Sequence, residues 1–205
     1  MFSFFGKSKK KPPTKNSSFY YRENLIQNYG DIKKIYTETG GFKTSHPIQF
    51  QGKTLNKITP DILESIMGDV SFILDHEPDM PGHQVFFFRK NADIFKLLIQ
   101  VHFYKNTFIL ASTKVTTEAI LNENQKKIII SQLMKHYPDL EIPSGIFEFS
   151  FTDENGDLVY TKDEVYLYLN YRPCELKSKE LKQLISDHGS TNQNKFGEET
   201  LDKFI

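Results

Sequence analysis

The chain has 205 residues with 26 basic and 26 acidic side chains, so its formal net charge is zero and the electrostatic footprint of a nucleic-acid binder is missing. Hydrophobic residues make up 38% of it, yet 18 Phe and 10 Tyr bury enough area per residue to sustain a core, which excludes a wholly disordered chain. A lone cysteine, Cys174, rules out an intrachain disulfide, and the longest apolar runs fall far short of the roughly 20 residues that a membrane-spanning helix needs.

Charge is spread unevenly. Residues 1–18 hold five lysines and no acid, leaving 21 basic against 26 acidic side chains in the rest. In MFSFFGKSKKKPP the aromatic residues come before the lysines, the reverse of a secretion signal, and no long apolar stretch follows. Residues 1–18 are therefore expected to form a disordered basic arm. Phe2, Phe4 and Phe5 with Lys9, Lys10 and Lys11 give it the chemistry to touch an anionic membrane, each lysine adding about 1 kcal/mol near such a surface. The expected location is the cytoplasm, with that arm as a peripheral contact at the inner face of a membrane.

Residues 19–189 are expected to fold as a single domain, with possible sub-units 19–118 and 119–189, followed by a flexible tail over 190–205. YYRENLIQNYGDIKKIYTET spaces Leu25, Ile26, Tyr29, Ile32 and Ile35 for one helix, weakened in its middle by Gly30. IQFQGKTL reads as a short strand or hairpin. Thr59-Pro60-Asp61 then opens a helix with a hydroxyl N-cap, a first-turn proline and a first-turn acid, and Gly68 ends it. From Val70 the period becomes two, and VSFILDH, HQVFFFRK, IFKLLIQVHFY and TFILASTKV predict a four-stranded antiparallel meander joined by short connections. Asn122 and Gln125 resemble a capping box for a helix whose apolar side runs through Ile129, Ile130, Leu133, Met134 and Tyr137. GIFEFSFT and DEVYLYLNY predict a second hairpin with Asn155-Gly156 in its turn, and ELKSKELKQLISDHG predicts a closing helix stopped by Gly189.

The segment DHEPDMPGH holds the densest polar chemistry: Asp75, His76, Glu77, Asp79 and His83 beside Pro78, Pro81 and Gly82. Its carboxylates and imidazoles are suitable metal ligands, but no established metal spacing is present, and neighbours on a strand point to opposite faces. The prolines and glycine suit a chain reversal, with His76 and His83 facing each other across its base. His102 shares a strand face with Gln100 and Tyr104, a polar row that serves either as a ligand floor or as a covered, satisfied cluster. Tyr166 and Tyr168, with Tyr160 and Asn170, form an aromatic stripe suited to a protein interface. No RNA-recognition pattern, cofactor fingerprint or metal site is identified, and Cys174 lacks a neighbour that would lower its pKa.

The run TPDILESIMGDVSFILD, followed by VFFFRK and LLIQVHFYKNTFIL, resembles the repeating unit of small outer-membrane-assembly lipoproteins and β-lactamase-inhibitor-like domains. The order helix, meander, helix, hairpin, helix is also similar to the layout of bacterial secretion chaperones. Both resemblances imply protein binding without catalysis. The sequence thus predicts an α+β domain, an antiparallel meander with helices packed mainly on one face, working as an inhibitor, immunity-type or chaperone-like adaptor. Its partner would be another protein, met through Asp75, His76, Glu77, Asp79, His83, His102, Tyr104, Tyr166 and Tyr168, without cofactor or nucleic acid. The alternatives are a metal-dependent hydrolase using the 75–83 cluster and a membrane adaptor tethered by residues 1–11.

Overall fold

A computed structural model describes residues 17–188 other than 78. The expectations for Phe2, Phe4, Phe5, Lys9, Lys10 and Lys11, for Gly189 and for the 190–205 tail lie outside the described residues. No described helix is long and apolar enough to cross a membrane.

The N-terminal helical segment is two helices, α1 (Ser17–Glu23) and α2 (Tyr29–Thr37), and the break falls at 24–28 rather than at Gly30. Asn28 causes it. Its side chain accepts from the Asp31 amide while Asp31 reaches back to the Asn28 amide, a reciprocal cap that starts a new helix. Two two-residue strands precede a short hairpin partner: β1 (Phe42–Lys43), β2 (Gln49–Phe50) and β3 (Lys53–Thr54). Helix α3 (Pro60–Met67) begins at the Thr59 cap and ends at Gly68, as the sequence predicts.

The meander follows as β4 (Phe72–Asp75), β5 (His83–Ala92), β6 (Phe95–Tyr104) and β7 (Thr107–Thr116). Lys105 and Asn106 both adopt positive φ, the two-residue turn geometry whose twist matches that of paired strands. Beyond α4 (Glu123–Met134), capped by Asn122 and Gln125, come β8 (Ser150–Thr152), β9 (Leu158–Asp163), β10 (Leu167–Arg172) and α5 (Lys179–His188). The predicted second hairpin is thus three strands, because LVYTKD forms β9 between the two expected cores.

One eight-stranded sheet has the order β1-β8-β9-β10-β7-β6-β5-β4, antiparallel except for the parallel pair of β1 with β8. Side chains alternate across it. Phe86, Phe88, Ile99, Val101 and Phe103 pack with Leu63 and Met67 of α3 and with Ile130 and Leu133 of α4. Their strand neighbours Val85, Phe87 and Leu98 pack with Tyr20 of α1, while Tyr104, Ile109 and Leu110 pack with Ile32 of α2 and with Leu181 and Ile185 of α5. Helices therefore cover both faces, which corrects the expectation of one-sided packing. The physical reason is that β5 is apolar on both sides over residues 85–88, and on the second face the buried Gln100 and His102 of β6 also need hydrogen-bond partners, so each face needs its own cover.

Candidate functional site: a buried imidazole chain under an open cleft

The 76–82 connection joins β4 to β5 and is closed by backbone bonds from the His76 amide to His83 and from the His83 amide to Met80. Met80 turns inward and is buried, which anchors the loop's middle. His76 and His83 face each other across the base, as the sequence predicts, with their Nδ1 atoms 3.0 Å apart. A third imidazole joins them from the adjacent strand: His102 Nδ1 lies 3.3 Å from His83 Nε2. His83 and His102 are fully buried and His76 is 7% exposed.

The chain of imidazoles has a direction, and Asn24 sets it. The Asn24 amide group donates to the Ile26 carbonyl at 2.7 Å while its carbonyl accepts from the Ile26 amide at 3.3 Å, so the Asn24 side chain has one satisfactory orientation. Its Nδ2 then donates to His76 Nε2 at 3.1 Å. A neutral imidazole has one donor and one acceptor, so His76 carries its proton on Nδ1 and donates to His83 Nδ1. His83 in turn donates from Nε2 to His102 Nδ1, and His102 presents an Nε2 N–H that meets no partner among the described residues.

Burial favours this neutral state at every link. Desolvation pushes His83 down to about 3, with His76 beside it adding to the effect, and it holds His102 well below the ordinary histidine range. His76 is also lowered by burial, although the carboxylates of Asp79 and Asp75 act in the opposite sense. Three uncharged rings in series form a polar seam in the core.

The cover over this seam is held by hydrogen bonds. Gln100 Nε2 donates to the Glu23 carbonyl at 2.6 Å and its Oε1 accepts from the Leu25 amide at 3.1 Å. Together with Asn24 on His76, these bonds fasten the 23–26 backbone across β6. Gln100 and His102 are thus a covered polar row, not a ligand floor open to solvent. Neither Asn24 nor Gln100 stands out as functional in the sequence. The visible signal is the pair Asn24 and Asn28, which suits a helix break better than one continuous helix.

The carboxylates of the loop go the other way. Glu77 and Asp79 are exposed, with Glu77 Oε1 accepting from the Gly82 amide at 3.3 Å. They border an open cleft of about 840 Å³ whose walls include Tyr29 from α2, Tyr104 from β6 and Glu180 from α5. Asp75 is half-buried at the end of β4. Tyr104 is 1% exposed, and Glu180 near it pairs with Lys105. Of the predicted partner-binding residues, His76, His83, His102 and Tyr104 are thus buried, out of a partner's reach.

Tyr166 and Tyr168 lie half-buried some distance from the loop, on the same sheet face as Lys114, which pairs across the strands with Tyr168. The Lys114 ammonium sits 4.0 Å from the centre of the Tyr166 ring and 2.7 Å from Glu23. Here α1 and α2 leave part of the face uncovered, and a second groove of about 550 Å³ opens beside Phe19, Arg89, Leu98 and Tyr166.

The imidazoles are spent on one another, and no group of three or more His, Cys, Asp or Glu among the described residues is set to hold a metal ion. The exposed Cys174 thiol is pushed up by burial first and then by the carboxylates of Asp157 and Glu175, which disfavours a reactive thiolate. Comparison with family models, with curated proteins and with solved structures finds no match for this chain.

Proposed function

We propose that this protein is a non-enzymatic protein-binding module, an inhibitor, immunity-type or chaperone-like adaptor that meets its partner through the 75–83 loop and the adjoining open cleft. The observation that carries this reading is the division of labour within the loop. His76 and His83 are consumed by an internal hydrogen-bond chain, while Glu77 and Asp79 stand at the rim of a broad surface depression walled by Tyr29 and Tyr104. Tyr29 and Tyr104 are themselves buried and form the floor's support, so the charged rim is the part of this depression that a partner meets. A hydrolase built on the same cluster finds less support, because its imidazoles lack an open coordination side toward the cleft.

Reversing the rim charge tests the proposal. The double variant Glu77→Lys, Asp79→Lys is expected to keep the wild-type thermal midpoint, both side chains being exposed, and to lose proteins that co-purify with the wild type from its native cell. Hydrolytic turnover by the wild type on addition of a divalent metal, abolished by His76→Ala, would overturn it.

A further inference from the structure

Arg89 lies on β5 two residues beyond Phe87, on the face covered by α1. Its guanidinium carbon lies 4.5 Å from the centre of the Phe19 ring and 5.0 Å from that of Tyr20, two rings set edge to face. Tyr20 is itself stacked on Phe72 at 4.6 Å, so the platform is rigid. Such cation–aromatic contact holds a guanidinium in place without using its N–H donors. Among the described residues no carboxylate meets that guanidinium, and the one hydrogen bond of Arg89 is from its backbone amide to Ser71 Oγ.

The surroundings share its sign. Lys96 and Lys114 line the same groove, while the Lys90 ammonium is turned to the other side of the sheet and donates to the Met67 carbonyl at 2.6 Å; Glu23 is the one acid among the lining residues, held by Lys114 at 2.7 Å. Lys96 meets the exposed Glu118 at the rim, a solvated pair that a competing carboxylate displaces at little cost. Leu98 and the Tyr166 ring add an apolar contact beside these cations.

We propose that this groove is a docking site for an acidic peptide segment of a partner protein, in which one Asp or Glu carboxylate is held bidentately by Arg89 while neighbouring carboxylates meet Lys96 and Lys114. The proposal rests on the protein-binding reading and adds the chemistry of the partner at a surface separate from the 75–83 loop. A planar fork of donors already held on an aromatic platform matches a carboxylate with little loss of rotamer freedom on binding.

The test uses the full chain and a fluorescent ten-residue peptide of alternating Glu and Leu, compared by anisotropy with its Gln counterpart. The acidic peptide is expected to bind, with its Gln counterpart at least about tenfold weaker, and added salt is expected to weaken binding. Arg89→Lys keeps the charge but loses the fork and is expected to reduce affinity about tenfold, with an unchanged thermal midpoint. Absence of binding, equal affinity for the Gln peptide, indifference to Arg89→Lys, or preference for a phosphopeptide or anionic vesicles would each overturn the proposal. If the peptide fails while partner capture still depends on Glu77 and Asp79, only this groove loses its assignment. If both fail, the protein-binding reading falls with it.

Discussion

Acidification from pH 7 to pH 5 is expected to remove about 4 kcal/mol of folding stability through His83 and His102 alone. Both have folded pKa values depressed below the unfolded value of about 6.5, His83 to about 3 and His102 well below the ordinary range. The sign follows from proton counting. Between the folded and unfolded pKa values the unfolded chain binds protons that the folded one refuses, so stability is fully present above about pH 6.5 and falls below it. Each group contributes a slope of about 1.36 kcal/mol per pH unit, and two acting together lose about 4 kcal/mol over the 1.5 units down to pH 5. His76 adds to this in the same direction, discounted because it lies nearest to solvent and to Asp75 and Asp79.

Such a loss is a large fraction of the roughly 5–15 kcal/mol that holds a typical domain together. At about 2–4 °C per kcal/mol for a chain of this size, the thermal midpoint should drop by roughly 8–16 °C. Among the carboxylates, Asp157 is raised by burial and so opposes the histidine slope as the pH falls, whereas Asp139 does not enter the window. Asp139 is held far below the usual carboxylate range by the Thr44 hydroxyl and by Ser45, so its contribution disappears only in stronger acid. Denaturant titrations at half-unit steps between pH 7 and pH 5 measure the slope directly. A stability that stays level across that interval would mean that the imidazoles titrate freely and are not sealed in.

Phe87→Ala should be the most damaging of the simple core truncations on the α1 side, costing about 3–5 kcal/mol. Phe87 is fully buried on β5, with its ring centre 5.0 Å from that of Tyr20 and 6.4 Å from that of Phe72. Its deletion removes the transfer energy of a large side chain and leaves a void, and it also breaks an aromatic trio whose pairs add about 0.5–1.5 kcal/mol each beyond area. The effect has a local signature. Tyr20 joins that trio to the Arg89 guanidinium, so amide exchange in α1 should rise more than in α4, which packs on the other face. A thermal midpoint within a degree or two of the wild type would show that α1 is not fastened to the sheet through this ring.

The meander was the most legible part of the chain, because β4 to β7 alternate with period two and connect through turns too short for anything but antiparallel neighbours. Caps at Thr59 and Asn122 were equally readable, since each places a side-chain acceptor where a helix leaves its first amides unpaired. LVYTKD was missed because only its first three residues are apolar and the stronger cores on either side already make a plausible hairpin. The parallel pairing of Phe42-Lys43 with β8 depends on a contact 109 residues away in sequence, and a two-residue strand has no period to detect.

Coverage of the second face was misjudged for a different reason. Gln100 and His102 give that side of β6 a polar row, which normally marks solvent, but here the cover itself is polar backbone and Asn24. The sequence shows which residues need hydrogen-bond partners, and only the folded chain shows that those partners come from residues 23–26. The facing of His76 and His83 was foreseeable from the turn, whereas the third imidazole arrives from β6 through a register that no local pattern encodes.

Long-range proton–nitrogen NMR of the histidine rings at pH 7 tests the neutral, directional imidazole chain most directly. The expected result is three uncharged rings, protonated on Nδ1 in His76 and on Nε2 in His83 and His102. A charged ring, a reversed tautomer at His83, or nitrogen shifts that move on addition of zinc would contradict the account.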